Sequence, residues 1–281
     1  MIFRERRIAA RDGRLLYVRD HGDPGAPRLP LLCLPGLTRN SADFARTAAR
    51  HARERRVVCP DYRGRGGSER DPDWRNYAPR ICLDDLAQIM AALGLGRVVV
   101  LGTSLGGLLA MGLAALKPKA IAAVILNDIG PEVRMDGLSR LFDYVAVDRP
   151  QPDWAAAVAF LRRTLPTLSL NDESQWLEFA RGTYREGDDG RLHFDWDLRL
   201  VRTLRMRDAV PDLWPLYRAL GRIPVLALRG GVSDILSDAT FARMAEMKPD
   251  LVRVTVPGVG HAPSLLETEA SVAIDDFLAR F

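Results

Sequence analysis

Short, wholly apolar runs punctuate the chain at 31–34 (LLCL), 57–59 (VVC), 98–101 (VVVL) and 121–126 (IAAVIL), and strand-like runs return at 225–229 and 251–256. Runs of this length, rich in branched residues and without polar alternation, predict strands buried on both faces, as in a parallel sheet. Between them the apolar positions fall at helical spacing over 41–51, 81–93, 105–116 and 238–247, with a closing helix over 267–281. Gly94 and Pro118 supply stop signals for the second and third of these. At the start, 2–10 and 15–18 read as two strands turning at Asp12-Gly13, a dipeptide suited to a tight antiparallel hairpin.

Eight strands alternating with helices predict an α/β fold: a mostly parallel sheet with right-handed crossovers and helices on both faces. Its site is expected at the C-terminal ends of the strands. The alternation fails over 131–211, where helical stretches carry Trp154, Phe160, Trp176, Phe179, Tyr184, Phe194 and Trp196. This predicts a core domain formed by 1–130 and 212–281, with a helical lid inserted over 131–211. Most of the lid aromatics are expected to form its own small core, and two or three to face a substrate.

The run 98–101 ends in Gly102-Thr103-Ser104-Leu105-Gly106, a G-x-S-x-G pattern set between a strand and a helix without a spacer. That context predicts a sharp turn that pushes the Ser104 hydroxyl outward, with glycines where a side chain would collide with the folded chain. A serine hydroxyl needs a base, and imidazole, with an ordinary pKa of about 6.5, is suited to the task near neutrality. Of the four histidines, His261 directly follows a strand within Pro257-Gly258-Val259-Gly260-His261. His21, His51 and His193 are read as surface or packing residues. The imidazole in turn needs a carboxylate to fix its tautomer. Asp234, after the strand 225–229, is the expected acid, and Asp128, after the strand 121–126, is its rival.

Composition removes several classes. With 281 residues, 47% hydrophobic and 27% charged, the chain has the balance of an ordinary globular protein. No apolar run approaches the ~20 residues that span a bilayer, and the first residues lack a signal-peptide core, so no membrane partner and a cytoplasmic location are expected. Cys33, Cys59 and Cys82 are odd in number and scattered, which predicts reduced thiols rather than disulfides or a metal site. The net charge of +4 comes from arginines interspersed with acids, so no nucleic-acid partner is expected. Gly64, Gly66 and Gly67 lack both the G-x-G-x-x-G spacing and a following lysine, which argues against a phosphate-binding loop.

On these motifs the chain resembles the α/β-hydrolase superfamily over nearly its whole length. Besides the serine turn, 61–68 (DYRGRGGS) is similar to that family's D-x-R-G-x-G-x-S loop, Gly260-His261 to its histidine loop, and the order Ser104, Asp234, His261 to its order of catalytic residues. The resemblance implies that Ser104 attacks an acyl carbon, His261 acts as base and then acid, and Asp234 orients it. It also implies an oxyanion hole made of the backbone N–H groups of Leu105 and Leu37. Pro35 stands where many members carry histidine before the glycine of that loop. The nucleophile being serine separates the chain from haloalkane dehalogenases and epoxide hydrolases, and Ala262 stands where many carbon–carbon-bond hydrolases carry tryptophan. The expected function is a lidded serine hydrolase of a small or medium carboxylic ester or lactone, working through an acyl-enzyme and needing neither metal nor organic cofactor. The alternatives are an enol-lactone or C–C-bond hydrolase and, from another class, a ligand-binding receptor built on a hydrolase body. The oligomeric state is left open.

Overall fold

The structure is a computed structural model and describes residues 3–205 and 212–281. The expected first residue of the first strand, Ile2, and the expected end of the insertion, Pro211, lie outside the described residues. Eight strands form one sheet: β1 (Arg4–Ala9), β2 (Leu15–His21), β3 (Leu31–Leu34), β4 (Val57–Pro60), β5 (Val98–Thr103), β6 (Ile121–Asn127) and, after a long interruption, two more described below. Helix α1 (Ala45–His51) lies between β3 and β4, α2 (Pro79–Ala92) precedes β5, and α3 (Leu105–Leu116) joins β5 to β6.

The interruption holds α4 (Met135–Val145), α5 (Trp154–Thr164), α6 (Glu173–Arg181), a hairpin of β7 (Tyr184–Glu186) and β8 (Leu192–Phe194), and α7 (Arg202–Arg205). The regular pattern then resumes with α8 (Trp214–Ala219), β9 (Val225–Gly230), α9 (Asp238–Met247), β10 (Val252–Val256) and α10 (Thr268–Leu278). The spatial order is β1-β2-β4-β3-β5-β6-β9-β10. β1, β2 and β4 pair antiparallel, and the other pairs, β3 with β4 and with β5 through to β9 with β10, are parallel.

The apolar runs divide by residue parity, as a period of two requires. Leu32, Leu34, Val98, Val100, Val124 and Leu126 pack on one face with Leu86 and Ile89 of α2 and Leu109 and Leu113 of α3. Leu31, Cys33, Val99, Leu101, Ala123 and Ile125 pack on the other face with Phe44, Ala48 of α1, and Ile274 and Phe277 of α10. This double burial is why these strands read as continuous apolar runs. All three cysteines are buried and free.

One local prediction fails. Residues 184–194 were expected among helical stretches, but they form the β7–β8 hairpin, with Tyr184 opposite Phe194. The sequence Gly187-Asp188-Asp189-Gly190 closes it, with the Gly187 N–H donating to Arg191 O at 2.8 Å and Gly190 at a φ of +74°. That is turn chemistry, and the flanking aromatics gain a cross-strand partner that a helix would not give them.

Candidate active site

Ser104 sits at the β5–α3 junction with φ 52° and ψ −116°, outside both the strand and the helix regions. Its N–H donates to Asn127 O at 3.0 Å, tying the turn to the end of β6. A Cβ on Gly102 would overlap the carbonyl of Gly106, and one on Gly106 would overlap the carbonyl of Leu34, so both glycines are required by close backbone approach. Such a turn leaves the serine side chain free of the helix it precedes.

His261 lies across from it. Its Nε2 is 2.9 Å from Ser104 Oγ, and its Nδ1 is 2.7 Å from Oδ2 of Asp128. Asp128 directly follows β6, is fully buried, and has a φ of 54°. The Gly230 N–H donates to its Oδ1 at 2.8 Å, and the Ser233 hydroxyl donates to its Oδ2 at 2.6 Å. A carboxylate only accepts, so the Nδ1 of His261 carries the proton and Nε2 is left to accept from the serine hydroxyl.

Asp234, expected to be the acid, is not the histidine's partner. In the loop after β9 the chain turns with the Ser233 N–H donating to Gly230 O at 3.0 Å, which aims the side chain of Ser233 at Asp128. The next residue, Asp234, projects the other way and ion-pairs with Arg140 of α4. The carboxylate beside His261 Nδ1 is that of Asp128, the rival reading. Ser233 carried no signal in sequence beyond its position after a strand.

The other histidines stand apart from this array. His21 is buried in β2, where burial lowers its pKa; His51 is buried in α1 near Asp275; and Asp148 and Asp189 hold the pKa of His193 up. Among the described residues, no group of three or more histidine, cysteine, aspartate or glutamate side chains is arranged to hold a metal ion.

The loop after β3 runs past the serine. At Pro35 and Leu37 the loop is held from behind: Tyr62 Oη donates to Pro35 O at 3.1 Å, and Arg65 Nε donates to Leu37 O. Arg65 is 1% exposed and also donates from Nη1 to Arg63 O at 2.8 Å, so it is fixed at two backbone carbonyls. Arg63, the arginine of the D-x-R-G-x-G-x-S loop, is itself locked by Asp85 at 2.6 and 2.7 Å and by Asp71 and Asp12 at 2.8 Å each. Leu105, the other expected amide donor, is the first residue of α3, where backbone N–H groups have no partner inside the helix.

Ser104 and His261 open into a cavity of about 480 Å³. Its walls come from the β3 loop, the histidine loop, residues of α4, α5 and α6, and the segment 165–170. Of the seven aromatics singled out in the insertion, Phe179 and Trp196 line it, joined by Tyr144. Phe194 stacks on Trp196 at 4.1 Å between ring centroids and Tyr184 lies against Phe194 at 4.9 Å, forming a small aromatic core behind the wall.

A mostly parallel sheet covered on both faces, presenting a serine on a strand-to-helix turn to a histidine and a buried carboxylate, defines a hydrolase architecture. A model of the alpha/beta hydrolase family matches residues 31–274. The chain is 33% identical over 270 residues to the 3-hydroxybutyrate-oligomer hydrolase of Cupriavidus necator, covering 93% of this chain and 91% of that protein. It is 28% identical over 250 residues to the 2-(acetamidomethylene)succinate hydrolase of Mesorhizobium japonicum, covering 88% and 87%. A crystal structure of an alpha/beta hydrolase from Novosphingobium aromaticivorans superposes with a TM-score of 0.93 at 43% identity, covering 99% of each chain. The chain belongs to the alpha/beta hydrolase family and is a hydrolase.

Proposed function

We propose that this protein is a serine hydrolase of small to medium carboxylic esters or lactones. The observation that carries the reading is the continuous hydrogen-bonded line from Ser104 Oγ through His261 to Asp128, with steps of 2.9 and 2.7 Å, opening into the cavity. In this scheme Ser104 Oγ gives its proton to His261 Nε2 and attacks the acyl carbon. The developing oxyanion is met by the amides of Leu37 and Leu105, aided by the positive end of α3. His261 then returns the proton to the departing alkoxide, and a water molecule, deprotonated by the same imidazole, releases the acyl group from Ser104. Asp128 holds Nδ1–H and stabilises the imidazolium formed in each half-reaction.

The described part of the insertion acts as a lid in this reading, since α4 to α6 supply part of the wall of the cavity that Ser104 lines. The experiment is turnover of p-nitrophenyl esters of graded chain length by the wild type and by Ser104→Ala. Loss of about 10³-fold or more in kcat with an unchanged melting temperature supports the assignment. Turnover by a folded Ser104→Ala protein at the wild-type rate refutes it. A wild type with no turnover on any ester or lactone favours the receptor reading.

A further inference from the structure

The cavity wall carries four arginines, Arg39, Arg46, Arg140 and Arg163, against two carboxylates, Asp43 and Glu178. Two arginines are neutralised within the wall itself. Arg39 ion-pairs with Asp43 while its guanidinium lies 3.9 Å over the ring of Phe179, and Arg46 grips Glu178 at 2.9 and 3.1 Å. Arg140 is taken by Asp234, which does not line the cavity. Arg163 alone of the four has no carboxylate within ion-pair distance among the described residues.

Its neighbour shows that this is not a general property of the helix end. Arg162, also in the last turn of α5, pairs with Glu173 and lies 5.4 Å over the ring of Trp176. The two adjacent arginines face different surroundings: Arg162 a carboxylate on α6, Arg163 the cavity and solvent. A guanidinium offers a planar fork of donors suited to a carboxylate. Placed at the edge of a cavity walled by Leu141, Leu165, Leu168 and Leu170, it attracts an anion more strongly than it would in open water.

We propose that Arg163 is a carboxylate-binding residue of this cavity, and that the substrates are esters with a free carboxylate at one end and the scissile ester at Ser104. This rests on the ester-hydrolase reading above. The cavity of about 480 Å³ has room for such a molecule, its chain against the leucines that line it together with Ser104 and Arg163.

The test compares kcat/KM at pH 7.5 for matched pairs of esters that differ only in whether the distal carboxylate is free or methyl-capped. One series is the p-nitrophenyl monoesters of succinic, glutaric and adipic acids. The other is the butyryl esters of hydroxycarboxylic acids, which carry the charge on the leaving alcohol. In at least one series the wild type is expected to prefer the free acid, with a preference that shrinks as salt rises. Arg163→Gln is expected to reduce the ratio of free to capped ester about tenfold, mainly through KM, and Arg162→Gln to retain it. An equal ratio in the wild type and Arg163→Gln across both series overturns the proposal, leaving Arg163 as a solvated residue at a helix end. Calorimetric binding of monomethyl glutarate reads the same residue without turnover. Weaker binding by Arg163→Gln than by wild type supports Arg163 as a carboxylate-binding residue even where the ester-hydrolase reading fails, and equal binding overturns it.

Discussion

Replacing Asp128 by asparagine tests the proposed acid with little change of shape. The carboxylate accepts from the Gly230 N–H at 2.8 Å, the Ser233 hydroxyl at 2.6 Å and the His261 Nδ1–H at 2.7 Å. An asparagine keeps its carbonyl oxygen on the Gly230 N–H and turns its NH₂ toward Ser233 and His261. The Ser233 hydroxyl rotates to accept, but the imidazole has one way to comply. It moves its proton to Nε2 and accepts at Nδ1, so that Nε2–H faces Ser104 and cannot take the serine's proton. The same exchange in a serine-histidine-aspartate triad costs about 10⁴ in kcat, or about 5 kcal/mol of transition-state stabilisation. Asp234→Asn removes only an ion pair whose arginine, Arg140, is 74% exposed, and an exposed pair contributes at most about 1 kcal/mol. We expect Asp128→Asn to lose kcat by three to four orders of magnitude on a short p-nitrophenyl ester, and Asp234→Asn to stay within about fivefold of wild type. Both variants are compared at matched thermal stability. A reversed ranking, or Asp128→Asn within tenfold of wild type, refutes the assignment of Asp128.

Two further outcomes follow from the contacts around this site. Burial and the neighbouring Asp61 raise the Asp195 carboxyl to a pKa of about 6, so the folded state holds its proton over a range where the unfolded chain, near 3.8, has lost it. Stability from this group is complete below about pH 4 and is lost as pH rises through 6, so Asp195→Asn should stabilise the protein at pH 7.5 by up to about 3 kcal/mol and have little effect at pH 4. Denaturant unfolding at the two pH values checks this, and an equal effect at both contradicts it. Phe179 lines the cavity whereas Trp154 of the same insertion does not. Phe179→Ala should therefore shift the preference between short and long acyl chains by about three- to tenfold, while Trp154→Ala leaves it near wild type, as chain-length profiles of kcat/KM will show.

The core of this fold was legible in sequence because its strands are buried on both faces and its helices carry their own stop signals. The helix expected over 238–247 coincides with α9, and the strand expected over 31–34 coincides with β3. Ser104 was legible for a related reason: the glycines at 102 and 106 answer to backbone collisions within one local turn. Asp128 was visible as a candidate, yet nothing local separates it from Asp234, since each follows a sheet strand at the same edge. The choice depends on a one-residue offset in the turn after β9, which aims Ser233 inward, and on Arg140, which comes from the insertion to take Asp234. Both are tertiary facts, and sequence patterning carries neither. The hairpin at 184–194 was missed for the opposite reason, since its turn residues were local and were outweighed by the helical character of the stretches around it.

The insertion is fastened to the core at both loops the proposed chemistry depends on. On the histidine side, the Gly260 N–H donates to Thr167 O at 2.9 Å. Glu267 accepts from the Ser264 N–H at 2.7 Å and from the hydroxyl of Ser169, linking the loop after His261 to the segment 165–170. On the other side, Arg65 grips Leu37 O while pairing as a β-bridge with Trp196, and the Asn40 side-chain amide donates to Gly182 O at 3.0 Å. A rigid displacement of the whole insertion would therefore break contacts beside His261 and beside the Leu37 amide at once. The insertion's part of the cavity wall belongs to the frame that sets the histidine loop and the loop after β3. The side chains of Arg140, 74% exposed, and of Arg163, also exposed, both line the cavity and can adjust at low cost without moving that frame.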